Sequence, residues 1–220
     1  MGDMTLAKKM IDSASENGAD ICKFQTWSEE KLKAGSWDND GRRDIYKKAQ
    51  LSEDQHINLK EYCESKNVKF LTSVFDEEDI KFLSKLNPEM IKIGSQEVYN
   101  IDLIKECLLK FKTVIISTGA AKWQEIEKIA AIKNSKNMVL LHCVSAYPCA
   151  PENVNIPRME KLKSHFGEVG YSGHFAGIDD AIVAFCNGAK YVEKHFTVDR
   201  NLPGRDNKFA ILPHELKELS

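Results

Sequence analysis

The sequence predicts an α/β fold, a TIM (β/α)8 barrel in which seven of the eight strands are visible. Three observations predict it. Seven short β-rich runs alternate with helical-period segments, the pattern of βαβ units in a parallel sheet. None of the strand–helix junctions carries G-x-G-x-x-G, the phosphate loop that an open doubly wound sheet would prefer. Polar residues crowd the C-terminal ends of the strands, where a barrel keeps its chemistry.

The strands read over 20–25, 69–74, 90–95, 113–118, 138–143, 168–174 and 191–197. A helix precedes the first: Leu6, Met10, Ile11 and Ala14 share one face ahead of the stop signal Asn17-Gly18. Ser52-x-x-Gln55 forms a capping box before Ile57, Leu59, Tyr62 and Cys63. The next helix carries Ile80, Phe82 and Leu83 into the breaker Asn87-Pro88. Further helices read over about 100–110, 122–133, 156–165 and 178–187, the last followed by Gly188, and a final one opens at Pro213. Seven strands flanked by two helices is one strand short of a barrel. Residues 1–220 are therefore expected to form a single, incomplete barrel domain with its first strand absent and its last helix truncated.

With 42% apolar and 29% charged residues, the composition is that of a folded globular chain and excludes disordered and collagen classes. Lys plus Arg is 31 against 33 for Asp plus Glu. A net charge of −2 offers no broad attraction for nucleic acid or anionic lipid, so an anionic ligand must be held by a local pocket. The six cysteines (Cys22, Cys63, Cys107, Cys143, Cys149 and Cys186) show no C-x-x-C pair and no metal-type spacing. Read as reduced thiols, with no signal-type apolar run at the N-terminus and no membrane-length apolar stretch, they place the protein in the cytoplasm.

The strand ends supply Lys23-Phe24-Gln25-Thr26, Thr72-Ser73, Lys92 through Glu97, Ser117-Thr118-Gly119, His142-Cys143 leading to Ser145-Ala146-Tyr147-Pro148, Ser172-Gly173-His174 and Glu193-Lys194-His195. A single Ser or Thr at such a place is more often a cap or turn former. Several hydroxyls with one inward lysine resemble a phosphate cage. Lys92 alternates with Ile91 and Ile93; if these face the helices, Lys92 points into the barrel, where it needs an anionic partner. His174 and His195 end adjacent strands, about 5 Å apart, so two imidazoles can reach one divalent ion; two separately hydrogen-bonded histidines are the alternative. His142 reads as a satisfied core histidine, and His56, His165 and His214 as helix-surface residues.

The runs 23–26, 70–76, 91–97, 115–119, 140–148, 170–174 and 193–206 (KFQT, FLTSVFD, IKIGSQE, IISTG, LLHCVSAYP, GYSGH and EKHFTVDRNLPGRD), taken in order, resemble the sialic acid synthase family. That family includes the N-acetylneuraminate, legionaminate and pseudaminate synthases. The resemblance implies a phosphoenolpyruvate-dependent condensation with an N-acylated hexosamine in a TIM barrel. It assigns phosphoenolpyruvate to Ser73, Lys92, Ser95, Ser117, Ser145, Tyr147 and Ser172. It assigns a divalent metal, Mn2+ first and Mg2+ or Co2+ next, to His174 and His195. The sugar side falls on Lys23, Gln25, Glu97, Tyr147 and Asp206, and the catalytic set is Lys92, His174, His195 and Asp206. A homodimer is implied as well.

Gly173 stands where the family usually has Asp, a subgroup mark; Gln96 replaces a usual Gly, Ser145 an Asn of some members, and Arg205 a usual Pro. Members begin with a strand that is not seen here and continue into a small antifreeze-like domain that is also absent. The missing strand is expected to leave two unpaired sheet edges and a barrel that is marginal, aggregation-prone or rescued by oligomerisation. Two other readings compete: a Schiff-base aldolase using Lys92, and a non-catalytic truncated barrel that binds without turnover.

Overall fold

The computed structural model describes residues 2–32, 34–35, 38–132 and 135–220. Seven strands, β1 (Ile21–Thr26), β2 (Lys69–Val74), β3 (Met90–Ile93), β4 (Thr113–Ser117), β5 (Met138–Cys143), β6 (Val169–Gly173) and β7 (Val192–Lys194), form one parallel sheet in sequence order. Helices α1 (Met4–Glu16), α2 (Arg42–Ala49), α3 (Glu53–Ser65), α4 (Glu77–Leu86), α5 (Ile101–Lys110), α6 (Trp123–Ala130), α7 (Ile156–Phe166), α8 (Asp179–Cys186) and α9 (Pro213–Leu219) complete the described elements. These strands are seven staves of a (β/α)8 barrel.

The capping box at Ser52 and Gln55 and the breaker at Asn87 act where they were read, and Asp3 adds a cap that was not singled out. Asp3 caps α1 by accepting from Thr5 N and Leu6 N, and Ser52 and Gln55 close the capping box of α3. Asn87 ends α4 in the left-handed conformation, which Asn tolerates. The helix expected over 122–133 stops at Ala130, and its last expected position, 133, lies outside the described residues. Helix α2 was not expected: its eight residues bury nothing, so no apolar stripe announces it.

Alternation along the strands sorts side chains into two environments. Val74, Ile91, Ile93, Val114, Ile116, Leu140 and Val169 pack outward against the helices. Leu71, Met90, Ile115, Val139 and Leu141, with Ile21 and Tyr191, point the other way and fill the barrel interior. One two-residue step toward the C-terminal ends turns this apolar floor polar: Ile21 is followed by Lys23, Leu71 by Ser73, Met90 by Lys92, Ile115 by Ser117, Leu141 by Cys143 and Tyr191 by Glu193. Each fully buried member of this floor contributes about 1.5–3 kcal/mol, and the floor lies beneath the polar ring.

The interior strands are buried almost throughout, whereas β1 is half-buried along most of its length and β7 is exposed at Val192 and half-buried after it. His56 corrects the sequence reading. It is buried, 1% exposed, on the same face of α3 as Leu59 and Cys63. Its Nδ1 bonds Ser52 O (2.8 Å) and its Nε2 the Thr26 hydroxyl (2.7 Å), which in turn meets Thr72 (2.9 Å). A histidine can join an apolar face when both ring nitrogens are bonded. His142 is buried as expected but only half satisfied: Nε2 donates to Val154 O (2.8 Å), and Nδ1 has no partner among the described residues.

Candidate active site

The polar ring is built by register. Gln25 is level with Ser73, Ser73 with Lys92, Cys143 with Ser172, and Ser172 with Glu193. Because Ile91 and Ile93 are held by the helix layer, Lys92 must point inward; it is 3% exposed. Its Nζ donates to Ser117 Oγ (2.6 Å), reaches Ile93 O (3.4 Å) and lies 3.7 Å from Glu193 Oε1. Burial pushes the Lys92 ammonium below the ordinary lysine range, with Glu193 opposing. Burial works against Glu193 too, yet Lys23 and Lys92, with the hydroxyl of Ser172 (2.9 Å), hold it down at about 2. Glu193 is thus a fixed carboxylate at neutral pH, acceptor only.

Glu193 was not among the candidates. The signal was present: Glu193 sits two residues before His195, and residues two apart in a strand share a face. Ser95 and Ser145 converge on Gly119 from separate loops. A β-carbon on Gly119 would lie 2.9 Å from Ser95 Oγ, 2.6 Å from Ser145 Oγ and 3.0 Å from Cys143 Sγ, and Gly119 N donates to Ser95 Oγ (3.1 Å). Only glycine lets these groups approach one backbone amide. Ser73 is buried in the ring, and Ser145 is exposed at the rim.

The two histidines sit just past β6 and β7, their ring centroids 5.3 Å apart. His174 Nδ1 donates to Val144 O (3.0 Å), which leaves Nε2 with its lone pair. Burial pushes both imidazoles down, His195 to about 4 with Lys23 and His174 adding to the effect against Asp206, so both are neutral at pH 7. Asp206 faces His195 Nδ1 at 3.7 Å, beyond hydrogen-bond distance. Tyr147 lies over His174 (centroids 4.1 Å), with Phe209 5.2 Å from the His195 ring. Burial pushes the Tyr147 phenol up to about 12, so it stays a donor. Gln25 is exposed at the interior-facing end of β1, Lys23 lies one step below it, and Glu97 is half-buried in the turn Ser95–Glu97 after β3.

The structure therefore gathers Lys92, Ser117, Ser172 and Glu193 in one group, Ser95, Ser145 and Gly119 in a second, and Tyr147, His174, His195 and Asp206 in a third. Residues 10–220 match the model of the NeuB family. The chain belongs to that family. Among NeuB-type proteins it is similar to the N,N'-diacetyllegionaminic acid synthase of Legionella pneumophila subsp. pneumophila, 36% identical over 237 residues that cover 99% of this chain and 67% of the relative. It is also similar to the N-acetylneuraminate-9-phosphate synthase of Drosophila melanogaster, 34% identical, with 100% of this chain and 63% of the relative covered. The chain thus spans about two thirds of the length of these curated relatives. Its fold matches the crystal structure of N-acetylneuraminic acid (sialic acid) synthetase from Leptospira borgpetersenii serovar Hardjo-bovis in complex with citrate, with a TM-score of 0.93, 35% identity, and 99% of this chain and 76% of that one covered.

Proposed function

We propose that this NeuB-family chain is an enzyme that condenses phosphoenolpyruvate with the open-chain aldehyde of an N-acylated hexosamine, N-acetylmannosamine or a 6-deoxy-diacetamido analogue. The products are a nine-carbon 2-keto sugar acid and inorganic phosphate. The observation that carries the reading is the buried Lys92, bonded to Ser117 and 3.7 Å from Glu193, above an apolar floor. Such a ring suits a small, strongly anionic ligand seated at the bottom of a cavity.

In the reaction, C3 of phosphoenolpyruvate forms a bond to the aldehyde carbon, water adds to the cationic C2, and the resulting phosphohemiketal breaks its C–O bond to release phosphate. Holding both reactants in register replaces an improbable bimolecular encounter. Lys92 and the Ser95, Ser117 and Gly119 groups would neutralise and orient the phosphate as it departs. Ser117 accepts from Lys92, so its own proton is free for a ligand oxygen. Tyr147, protonated and lying against His174 with the rings tilted, would close the sugar side with Gln25 and Asp206.

The donor set fits a divalent metal: two neutral imidazoles side by side, one with its outer nitrogen donated to a carbonyl, the arrangement that directs the other nitrogen to an ion. His174 and His195 would hold it; nitrogen donors favour a transition-metal ion, Mn2+ or Co2+, over Mg2+, and Mn2+ is the ion proposed. Such an ion supplies a Lewis acid for the aldehyde oxygen. Among the described residues no cluster of three or more His, Cys, Asp or Glu forms a metal site, so solvent or substrate would fill the remaining positions.

The reading takes residues 1–220 as one barrel unit of a cytoplasmic homodimer, in keeping with six free cysteines. Among the described residues no helix is long and apolar enough to cross a membrane. The test is phosphate release from phosphoenolpyruvate with each sugar, with and without chelator, and the product mass. Chelator-sensitive release that needs the sugar supports the synthase; binding of phosphoenolpyruvate with no turnover for any sugar supports the non-catalytic reading. The depressed Lys92 ammonium is the observation favouring a Schiff-base aldolase, and borohydride capture of pyruvate at Lys92 would establish that reading instead.

A further inference from the structure

The two histidine segments are tied together outside the barrel by a buried ion pair. Lys194 follows Glu193 and precedes His195, so it points away from the site, toward α8. Its side chain is 4% exposed and that of Asp180 1%. Lys194 Nζ donates to both Asp180 oxygens (2.9 and 3.0 Å) and to Phe175 O (2.8 Å), the carbonyl directly after His174. Asp180 also accepts from Tyr171 OH of β6 (2.9 Å) and from Ala181 N (2.8 Å). One ammonium thus grips the backbone beside His174 while belonging to the residue beside His195.

Gly173 is part of the same device. It is level with Lys194 across the β6–β7 pair, and a β-carbon there would collide with the Asp180 carboxylate and the Tyr171 ring. The space beside β6 is taken by a carboxylate that arrives from α8. β7 itself has only three register pairs with β6, and beyond them His195 is held through Ile211 N, which donates to His195 O (2.8 Å). So short a strand fixes an imidazole poorly unless a side chain anchors it. A buried ion pair is a weak source of stability and a better source of unique geometry.

We propose that Asp180 and Lys194 are positioning residues that hold His174 and His195 at the separation required to share one divalent ion. This rests on the metal reading of the histidine pair. The test uses the variants Lys194→Met, Asp180→Asn/Lys194→Met and Lys194→Arg in the full chain, with Mn2+ affinity read by electron paramagnetic resonance, the thermal midpoint, and the ring-proton NOE between the two histidines in metal-free protein. Lys194→Met is expected to weaken Mn2+ binding about tenfold or more. The double variant, which buries no unpaired charge, is expected to recover the thermal midpoint without recovering the affinity or the NOE, because Met donates nothing to Phe175 O. Lys194→Arg, which keeps a donor for both partners, is expected to restore both.

A double variant that binds Mn2+ as the parent does, with the NOE intact, overturns the proposal and leaves the pair a packing element. If the parent and a His174→Ala variant bind Mn2+ equally, the metal reading fails instead. The NOE, read without metal, then still decides whether Asp180 and Lys194 set the ring geometry.

Discussion

The two sides of the barrel mouth solve opposite electrostatic problems. On one side the buried Lys92 lies beside the Glu193 carboxylate, which Lys23 and Lys92 hold well below the usual carboxylate range, with the hydroxyls of Ser117 and Ser172 taking up remaining bonds. On the other, His174 and His195 are kept neutral by burial among Tyr147 and Phe209. In the proposed reaction the charged side would exchange one anion for another, and the neutral side would offer lone pairs to a cation. A condensation that expels phosphate while activating an aldehyde needs both at once, a few ångströms apart and without mutual cancellation.

Substitutions on the two sides should therefore be separable. The largest effect is expected from Lys92→Ala, which removes the buried cation and leaves Glu193 short of a partner: kcat/KM for phosphoenolpyruvate falls by about 10²–10³ or more, measured by steady-state phosphate release. His174→Ala or His195→Ala should lower turnover on the order of 100-fold and abolish stoichiometric Mn2+ binding by calorimetry, while a phosphoenolpyruvate titration changes little. Full activity in both would remove the metal assignment. Ser117→Ala removes the hydroxyl 2.6 Å from Lys92 Nζ and should raise KM for phosphoenolpyruvate about tenfold with KM for the sugar unmoved. An equal rise in both would merge the two sides into one site.

The smallest and most diagnostic effect is with pH. The histidines are held neutral in the folded protein, His195 with a value of about 4, so the unfolded chain binds more protons as acid is added. Their contribution to stability is full above about pH 6.5 and is lost as the pH falls toward 4. Glu193, held near 2, contributes fully above its unfolded value and is lost between about 4.5 and 2. Thermal midpoints should thus drop in two stages; in His195→Ala the first stage shrinks and the second stays.

Much of this was legible in the sequence because strand alternation carries it. Ile91 and Ile93 bracketing Lys92 suffice to turn the lysine inward, and the seven-strand count needed only the spacing of apolar runs. Glu193 was overlooked although the same rule places it beside His195. His56 was misread because a polar residue on an apolar helix face looks exposed until Thr26 is seen to reach it from β1, while the helix's own N-cap, Ser52, takes the other ring nitrogen. Asp180 was beyond reach: nothing local in a helix N-terminus reveals that its carboxylate fills the space left by Gly173 on β6.

The apolar floor imposes a sequence of events as well as a shape. Leu71, Met90, Ile115 and Leu141 lie one step beneath the polar ring, and Lys92 is buried in the ring above them. A ligand seated on Lys92 lies beneath whatever rests against Tyr147 and the histidines. In the proposed reaction, phosphoenolpyruvate would therefore enter before the sugar, and phosphate would leave after the sugar acid. Compulsory-order kinetics, with phosphate competing only against the first substrate, is the expected outcome of that stacking; random-order kinetics would contradict it.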